Sequence, residues 1–389
     1  MRSDEPIYLD HNATTPIRPE VIDAMAECAR HCHANPASQH SPGRAARRRL
    51  EAAREEIAEL LGADPVSCPP DRVILTSGGT EANNLALLGF CPLDDTEPGA
   101  VCFSAIEHAS VIEPAERLLD GGWRVNTLPV DGSGVVRVAA LESLVSPQTR
   151  LVSVTLGNHE TGALQPVDRL APVCHAAGVP IHTDAVQVAG KRPIEFRRLG
   201  VDAMTVAAHK FGGPIGIGAL LISGKCERPP RPILHGGHQQ QGLRPGTEAV
   251  APAVGMATAL RLWRDESEQL ARRLTALRDR FESRLLAALP GAIVHAAAAD
   301  RLPQTSNVAF PGVDGQQMFV ALDAAGVACS IGAACGSGAA IVSPTLRSMG
   351  LPEPIVRSSL RFSLGWTTTE AEVDEAVQRI AACVERVSG

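Results

Sequence analysis

Lys210 is the residue whose setting points most directly to chemistry. It follows the apolar run from Ala203 to Ala208, which predicts a buried strand, and it precedes a pair of glycines. The chain carries 36 lysines and arginines, and only three of them are lysines, at positions 191, 210 and 225. Arginine stays protonated, whereas a desolvated lysine can lose its proton and attack a carbonyl carbon. Lys210 is therefore a candidate Schiff-base lysine. The alternative is a lysine at a strand end that reaches out to water.

A second candidate is the segment from Thr76 to Glu81. It joins a predicted strand, Val73 to Leu75, to the start of a helix through small residues. The free N–H groups at the start of a helix, together with the helix dipole, favour the binding of anions. An anion site is one interpretation of this segment, and a plain turn between a strand and a helix is the other.

These segments belong to a repeating order of strands and helices. Strands are predicted over 73–75, 100–103, 123–128, 151–156, 179–183, 203–208 and 218–222, with helices between most of them. This alternation predicts an α/β fold with a mostly parallel sheet and helices on both faces. Ligands of such sheets bind beyond the carboxyl ends of the strands. Five polar residues follow strand ends in this way: Thr80, His108, Asn158, Asp184 and Lys210.

A second unit is predicted after a proline-rich break near Pro229. Its elements are long helices over 250–264 and 265–289, strands near 305–310 and 359–364, and helices near 315–325 and 370–386. Cys335 lies between them in a segment of small residues, with no bulky neighbour to bury it. An exposed nucleophilic thiol is one interpretation of Cys335, and an unreactive surface cysteine is the other. Cys329 has a more apolar context and is predicted to belong to the core.

Length and charge restrict the class of protein. A chain of 389 residues is long enough for two domains. The formal net charge of -7 carries no electrostatic signature of nucleic-acid binding. No apolar run reaches the length of a membrane span, and the first residues lack the pattern of a signal peptide. We therefore expect a cytoplasmic protein that binds neither nucleic acid nor membrane.

The ten cysteines are scattered along the chain and do not form the small loops of a disulfide framework. We expect them to be reduced. Four residues near the end of a predicted helix, Cys28, His31, Cys32 and His33, raise the question of a metal. Their spacing fits no structural zinc pattern, so we expect no metal and interpret them as a helix C-terminus.

Lys210 and the segment from Thr76 to Glu81 together suit one cofactor. A lysine that forms a Schiff base needs a carbonyl group, and an anion site suits a phosphate; pyridoxal 5′-phosphate has both. This cofactor also needs a carboxylate beside its pyridine nitrogen, and Asp184 is suitable. His108 is suited to stack on the ring or to move protons. Structural roles are equally open: a helix N-cap for Asp184 and a hydrogen-bonded strand-end residue for His108.

Ten short motifs occur in the order in which one enzyme family carries them. They are Tyr-Leu-Asp-His-Asn-Ala-Thr-Thr-Pro (8–16), Asn-Pro-Ala-Ser (35–38), Thr-Ser-Gly-Gly-Thr-Glu (76–81), Glu-His (107–108), Asn-His-Glu-Thr-Gly (158–162), His-Thr-Asp-Ala-Val-Gln (182–187), His-Lys (209–210), Arg-Pro-Gly-Thr-Glu (244–248), Gly-Ala-Ala-Cys (332–335) and Ser-Leu-Arg-Phe-Ser (359–363). On these motifs the chain resembles the cysteine desulfurases, pyridoxal-phosphate enzymes of the class V aminotransferase group. The resemblance extends from Tyr8 to Val384.

This resemblance implies the PLP-dependent transferase fold of the aspartate aminotransferase type. The large domain would be built on a mostly parallel seven-stranded sheet, and the smaller domain would be α+β. The implied bounds are 16–264 for the large domain, with 1–15 and 265–389 forming the small domain that carries the Cys335 loop. The family also implies a homodimer with its active sites at the subunit interface.

The resemblance implies a role for each residue around the cofactor. Lys210 would hold pyridoxal 5′-phosphate as a Schiff base, Asp184 would pair with the pyridine nitrogen, and His108 would stack on the ring. Gln187 would bind the ring hydroxyl. The phosphate would be bound by Gly79, Thr80 and His209, and by Thr247 of the partner subunit.

The substrate side is implied in the same way. Asn158, which would also contact the cofactor, would hold the substrate carboxylate together with Arg361 and Asn35. Cys335 would take the sulfur of L-cysteine as a persulfide, leaving L-alanine. The persulfide would pass to a sulfur-acceptor protein or a small thiol, as in sulfur mobilisation for iron–sulfur cluster assembly.

Two other functions are open. Selenocysteine lyase has a similar scaffold and would release selenium and alanine from L-selenocysteine. A catalytically silent cofactor-binding subunit is less favoured, because Lys210, Asp184 and Cys335 occur together.

The chain also departs from the family at several positions. Ala207 stands where a serine is usual, Ile215 where a basic residue is common, and Trp366 where an arginine is frequent. Ile341 and Val342 make the Cys335 loop unusually apolar. The chain ends without the longer tail by which some relatives dock an iron–sulfur scaffold protein, so that partner is not carried over.

Overall fold

The computed structural model describes residues 6–331 and 342–388. Cys335 therefore lies outside the described residues. The strands are β1 (Ile7–Tyr8), β2 (Arg72–Thr76), β3 (Ala100–Ser104), β4 (Arg124–Leu128), β5 (Thr149–Ser153), β6 (Ile181–Asp184), β7 (Ala203–Ala207), β8 (Gly218–Ile222), β9 (Ile293–Val294), β10 (Thr305–Ala309), β11 (Val327–Ala328) and β12 (Ser359–Ser363). The predicted strands are confirmed to within a few residues, and the two-residue strands were not predicted.

The helices alternate with these strands through the first two thirds of the chain. They are α1 (Pro19–His31), α2 (Ser41–Leu60), α3 (Gly79–Phe90), α4 (Ala109–Arg117), α5 (Val138–Leu144), α6 (Val167–Ala176), α7 (Phe196–Leu199), α8 (Val250–Ala288), α9 (Gly315–Ala324), α10 (Pro344–Ser348), α11 (Glu353–Arg357) and α12 (Glu370–Ser388). Helix α1 ends at His31 with Cys32 as its C-cap, as the sequence predicted. No helix in the described ranges is both long enough and apolar enough to cross a bilayer.

The central sheet has seven strands in the order β2-β8-β7-β6-β5-β3-β4. Strand β8 is antiparallel to both of its neighbours, β2 and β7, and the other pairs are parallel. The carboxyl ends of β2, β3, β5, β6 and β7 therefore lie along one edge of the sheet. This confirms the mostly parallel α/β fold, and it brings together the segments that follow those strands.

Alternate residues of the strands face two different cores, because side chains alternate between the faces of a sheet. On one face, Cys102, Met204 and Leu221 belong to the core built with α2, α6 and α8. On the other face, Val101 and Leu220 pack against α3 and α4. Burial on both faces explains why these strands read as continuous apolar runs.

Helix α8 corrects one prediction. The sequence predicted two helices, 250–264 and 265–289, whereas the structure has one helix of 39 residues. The apparent break is a change of environment: α8 is buried nearly all round from Ala253 to Leu260 and then buries only one stripe, Leu274, Leu277, Phe281 and Leu285. No glycine or proline interrupts the helix between these parts, so the backbone continues.

The second part of α8 packs in a separate core. That core includes Ile7, Phe281, Val308, Phe362 and Ile380. Strands β9, β10 and β12 form an antiparallel sheet there, and β1 pairs in parallel with β11. The division into a domain of residues 16–264 and a domain of residues 1–15 with 265–389 remains our proposal, and the composition of this core supports it.

Gly190 is expected to be sensitive to replacement. Its φ is +73°, and a Cβ there would collide with the Cβ and ring of Phe211, the residue after Lys210. We expect Gly190→Ala to lower the free energy of unfolding by about 2–4 kcal/mol, because overpacking adds to the left-handed backbone. Gly216→Ala is the matched control. Its φ is +89° and the space around a Cβ is open, so we expect the free energy of unfolding to fall by only about 1 kcal/mol. Chemical denaturation measures the free energy of unfolding of both variants, and equal decreases would contradict the collision with Phe211.

Candidate active site

A cavity of about 240 Å³ lies beyond the carboxyl ends of the strands. Seven of the predicted site residues line it: Gly79, Thr80, His108, Asp184, Gln187, His209 and Lys210. They come from turns after β2, β3, β6 and β7, which are far apart in the sequence. The shared direction of these strands explains how the cavity is assembled.

Lys210 ends a short 3-10 turn, Ala208–Lys210, that directly follows β7. Its Nζ donates to the carbonyl oxygens of Asn12 at 2.7 Å and Ala13 at 2.9 Å. Burial, and then the charge of Arg361, lower the pKa of Lys210 to about 8. The amine is therefore much closer to its neutral, nucleophilic form at neutral pH than an exposed lysine is.

Lys191 supports this turn from behind, and the sequence reasoning missed it. It is buried, and its Nζ donates to the carbonyl oxygen of Lys210 at 2.6 Å. Burial, followed by the charge of Lys210, lowers the pKa of Lys191 to about 7. The only signal in the sequence that could have pointed to Lys191 is the scarcity of lysine: the chain has three, and two of them meet at this turn.

A chain of hydrogen bonds runs from Asp184 to His108. Asn83 Nδ2 donates to Asp184 Oδ2 at 2.7 Å and to Ser110 Oγ at 2.8 Å. The Ser110 hydroxyl lies 2.8 Å from His108 Nδ1, and the Ser110 backbone N–H donates to the same nitrogen at 3.1 Å. Asp184 also accepts from the Val186 N–H at 2.9 Å. Asn83 and Ser110 were not predicted as site residues, and their only signal is a polar side chain at a buried position.

This chain assigns the tautomer of His108. A backbone N–H always donates, so Nδ1 of His108 must accept and carries no proton. Asn83 gives both of its amide hydrogens away, so the Ser110 hydroxyl is free to donate to Nδ1 as well. The proton of the neutral ring therefore lies on Nε2. Burial and the charges of Lys210 and Arg361 lower the pKa of His108, and Asp184 opposes them.

The start of α3 offers donors to an anion. Its N-cap, Gly78, supplies no side-chain cap, and Gly79 and Thr80 of the first turn line the cavity. Gly79 also allows close approach, because a Cβ there would lie 3.0 Å from Val186 Cγ2. His209 faces the same cavity, and burial with the charges of Lys210 and Lys191 lowers its pKa to about 4. These groups fit a phosphate.

Gln187 and Arg361 each keep an unused polar atom. Gln187 Nε2 donates to Asn12 O at 2.9 Å, while its buried Oε1 has no partner in the described part of the chain. Arg361 donates to Asp10 Oδ1 at 2.7 Å and to His159 O at 3.0 Å. Its buried Nε is also unpaired among the described residues. Gln187 lines the cavity, and Arg361 donates to the backbone of His159, which also lines it. An orphaned acceptor and an orphaned charged donor so placed are what a cofactor and an anionic substrate would satisfy.

Four of the predicted residues in the described part of the chain do not line this cavity: Arg361, Asn158, Asn35 and Thr247. Asn158 is fully buried, and its Oδ1 accepts from the Glu160 N–H at 3.0 Å and the Thr161 N–H at 2.8 Å. Its Nδ2 donates to Ile106 O at 2.9 Å, so Asn158 holds the turn that follows β5. Asn35 and Thr247 are exposed on the surface. Their binding roles stay predictions.

His159 is a lining residue to which the sequence reasoning gave no role. Its ring meets the His108 ring edge to face, with the centroids 5.3 Å apart and the planes at 80°. The motif around it was recognised, but nothing in the sequence indicated that this side chain turns toward Lys210.

Ile341, one of the departures from the family, lies outside the described residues, and three of the others lie in different settings. Ala207 lines the cavity. Ile215 is 79% exposed, on the turn after Lys210. Trp366 Nε1 donates to Pro16 O at 3.1 Å, and the Arg18 guanidinium lies 5.1 Å from the Trp366 ring centroid.

Cys329 is buried, as predicted, and burial raises the pKa of its thiol to about 12.

A larger cleft of about 450 Å³ lies near the amino ends of β6 and β7. Four of its charged groups form pairs: Arg197 contacts Asp71 at 2.9 Å, and His175 contacts Asp202 at 3.0 Å. No residue that lines it has a buried side-chain nitrogen or oxygen without a partner among the described residues, unlike Gln187 in the smaller cavity.

Comparison with known proteins agrees with this geometry. The family model described as aminotransferase class-V matches residues 7–376. An IscS-like cysteine desulfurase of Mycobacterium tuberculosis is 42% identical over 386 residues, covering 97% of this chain and 96% of that protein. A cysteine desulfurase of Cereibacter sphaeroides is 40% identical over 384 residues, covering 98% of this chain and 97% of that protein. The solved structure of a NifS-like protein has a TM-score of 0.89 and 32% identity, covering 98% of this chain and all of that one.

The fold and the family match together define an enzyme of the class V aminotransferases. Within that class, the chain belongs to the cysteine desulfurase family.

Proposed function

We propose that this protein binds pyridoxal 5′-phosphate in the cavity at Lys210 and uses it to remove sulfur from L-cysteine, releasing L-alanine. One observation carries the proposal: a desolvated amine, a carboxylate and an uncapped helix N-terminus, at Lys210, Asp184 and Gly79, line one cavity. The activity named for the relatives agrees with it.

The residues present fit this cofactor. Lys210 would hold it covalently, Asp184 would pair with its pyridine nitrogen, and His108 would lie against its ring. The orphaned Oε1 of Gln187 would accept from the ring hydroxyl. The phosphate would be bound by Gly79, Thr80 and His209, and by Thr247 of the partner subunit in a homodimer. When bound, the cofactor supplies an electron sink that makes the Cα proton of an amino acid acidic and weakens the bond from Cβ to sulfur.

The chain supplies the remaining functions. Lys210 Nζ, whose pKa is lowered, is suited to take the proton from Cα of the substrate and to return a proton later. The Asp184 carboxylate is held by Asn83 and by the Val186 N–H, so its position is fixed before the cofactor binds. The His108 ring carries its proton on Nε2, so this nitrogen can donate a hydrogen bond but cannot accept one.

Arg361 would bind the substrate carboxylate. Its guanidinium is anchored by Asp10 and by the carbonyl of His159, and the unpaired Nε remains for a ligand. We propose that Asn158 acts by holding the turn that follows β5 and that Asn35 helps Arg361 to bind the substrate carboxylate.

Cys335 would take the sulfur. Its thiolate attacks the substrate sulfur, the new S–S bond forms as the bond from Cβ to sulfur breaks, and the electron pair of that bond stays on the carbon side, which becomes alanine. The persulfide then passes to an acceptor protein or a small thiol. We propose a cytoplasmic location and a role in iron–sulfur cluster assembly on the basis of the family alone.

We expect Cys335→Ser to keep the visible absorption of the bound cofactor and to abolish sulfur transfer from L-cysteine. The matched control is Cys329→Ser, because the buried Cys329 thiol, whose pKa is raised to about 12, is a poor nucleophile. The measurement is alanine release, together with mass mapping of the thiol that gains one sulfur atom after incubation with L-cysteine.

Three outcomes would count against this proposal. Extra sulfur on Cys329 instead of Cys335 would contradict the assignment of the acceptor thiol. Alanine release from L-selenocysteine without release from L-cysteine would favour a selenocysteine lyase. A purified protein without the visible absorption of a bound cofactor would favour the silent subunit.

A further inference from the structure

We infer that His159 is the residue that accepts the proton from the α-ammonium group of the incoming amino acid. This inference rests on the proposed function and names a residue that the family motifs leave without a role. An amino acid arrives as an ammonium ion, and its nitrogen can attack an electrophilic carbon only after a proton is lost. The active site therefore needs a base that is not already committed to another hydrogen bond.

His108 is not suited to be that base. Its Nδ1 already accepts from the Ser110 backbone N–H at 3.1 Å and lies 2.8 Å from the Ser110 hydroxyl. Its proton is thereby placed on Nε2, the nitrogen that can face the cavity. A ring nitrogen that carries a proton has no lone pair to accept another one.

His159 lacks such a commitment. Its ring lines the same cavity as His108 and Lys210, and neither of its ring nitrogens makes a hydrogen bond within residues 6–331 and 342–388. Glu160 Oε1 approaches Nε2 only to 3.8 Å, and the carboxylate of Glu160 is instead bound by the Ser343 hydroxyl at 2.7 Å. The backbone of His159 is nevertheless fixed, because its carbonyl accepts from Arg361 and Asn12.

Burial, and then the surrounding positive charges, keep this imidazole neutral. The charged or titratable groups around it are His108, Arg361, Lys210, Glu160 and Asp184. Burial lowers the pKa of His159 well below its usual value, and the charges of His108, Arg361 and Lys210 lower it further. A free lone pair is therefore available throughout the neutral pH range.

The position of Arg361 explains why the ammonium group is the proton donor. Arg361 Nη1 donates to the carbonyl of His159 itself, at 3.0 Å. A substrate carboxylate bound to Arg361 would thus lie beside residue 159, and the ammonium group is attached to the next carbon. In the transfer, one N–H bond of the substrate breaks, an N–H bond forms on the imidazole, and the electron pair remains on the amine nitrogen.

The test is the pH dependence of kcat/KM for L-cysteine in His159→Asn. At pH 7 we expect a loss of about 10²-fold, the lower range for removing a general base. Below the pKa of the substrate amine, the loss should shrink by about tenfold for each unit of rising pH, because the fraction of substrate already present as free amine rises by that factor. The variant should keep the melting temperature and the visible absorption of the bound cofactor, which excludes misfolding as the cause.

Two further variants and one direct measurement complete the experiment. His175→Asn, in the cleft near the amino ends of the strands, should keep the wild-type profile. His108→Asn should lose activity by a factor that does not shrink as the pH rises. Nitrogen NMR of histidine-labelled protein without substrate should show the Nε2–H form for His108 and a midpoint below pH 6.5 for His159.

A loss of kcat/KM in His159→Asn that stays constant with pH would overturn the inference. A loss of kcat/KM in His108→Asn that shrinks as the pH rises would overturn it too. A His108 ring protonated on Nδ1 would overturn it as well. A wild-type protein that releases no alanine from L-cysteine would instead overturn the proposed function, while the NMR result would still decide the state of both rings.

Discussion

Lys210→Ala is expected to abolish covalent attachment of pyridoxal 5′-phosphate and to lower alanine release by about 10⁴-fold, the upper range for losing an acid–base group. The loss should be large because, in the proposed function, the same amine would hold the cofactor and move the proton at Cα. No other amine can replace it, since Lys191 is buried behind the turn with its Nζ bound to Lys210 O. Lys225 is exposed and far along the chain after β8.

The small number of lysines makes this prediction easy to check. Borohydride reduction of the holoenzyme followed by peptide mass mapping should place the cofactor on Lys210 alone. Lys225→Ala is the control and should keep both the label and the activity. Finding the cofactor on Lys191 or Lys225 would refute the assignment of the site.

Arg361→Ala is expected to lower kcat/KM for L-cysteine by about 10³-fold, mainly through a higher KM. A buried charge pair is costly to break from one side, because the remaining group keeps its desolvation penalty without its partner. The side chains of Arg361 and Asp10 are only 6% and 19% exposed, so we also expect the free energy of unfolding to fall by about 3 kcal/mol.

Companion variants separate the two effects of Arg361. Arg361→Lys keeps a positive charge beside Asp10 and should recover most of the stability, but it lacks the planar group that binds a carboxylate with two hydrogen bonds, so KM should stay high. Arg280→Lys, in the Arg280–Asp374 pair between α8 and α12, should leave KM unchanged. If Arg361→Ala lowers kcat with KM unaltered, Arg361 does not bind the substrate carboxylate.

The strands and their order of appearance could be predicted because each carries a local signal. Ala203–Ala207 and Gly218–Ile222 are short apolar runs bounded by polar or glycine-rich turns, and the structure confirms both. The continuity of α8 was harder to predict, since a change in the buried face resembles a break when only periodicity is considered. Local composition reports what a segment buries, but not what it packs against.

The residues of the candidate site likewise fall into those that the sequence predicted and those that it did not. Lys210, Asp184 and His108 were predicted from the sequence because each lies at the end of a strand, or shortly after one, that is recognisable alone. Asn83, Ser110 and Lys191 were not found, because their contacts join residues far apart in the sequence: Asn83 reaches Asp184 across 101 positions, and Lys191 reaches the carbonyl of Lys210.

By itself, the sequence determined the α/β fold and the family, and it predicted Lys210 as the Schiff-base lysine, because these depend on residue types in a given order. Only the tertiary structure decided which ring nitrogen of His108 carries the proton and that His159 turns its uncommitted ring toward Lys210. Those properties depend on which donors and acceptors meet after folding. The hydrogen bonds that decide them form only when the carboxyl ends of separate strands come together at one edge of the sheet.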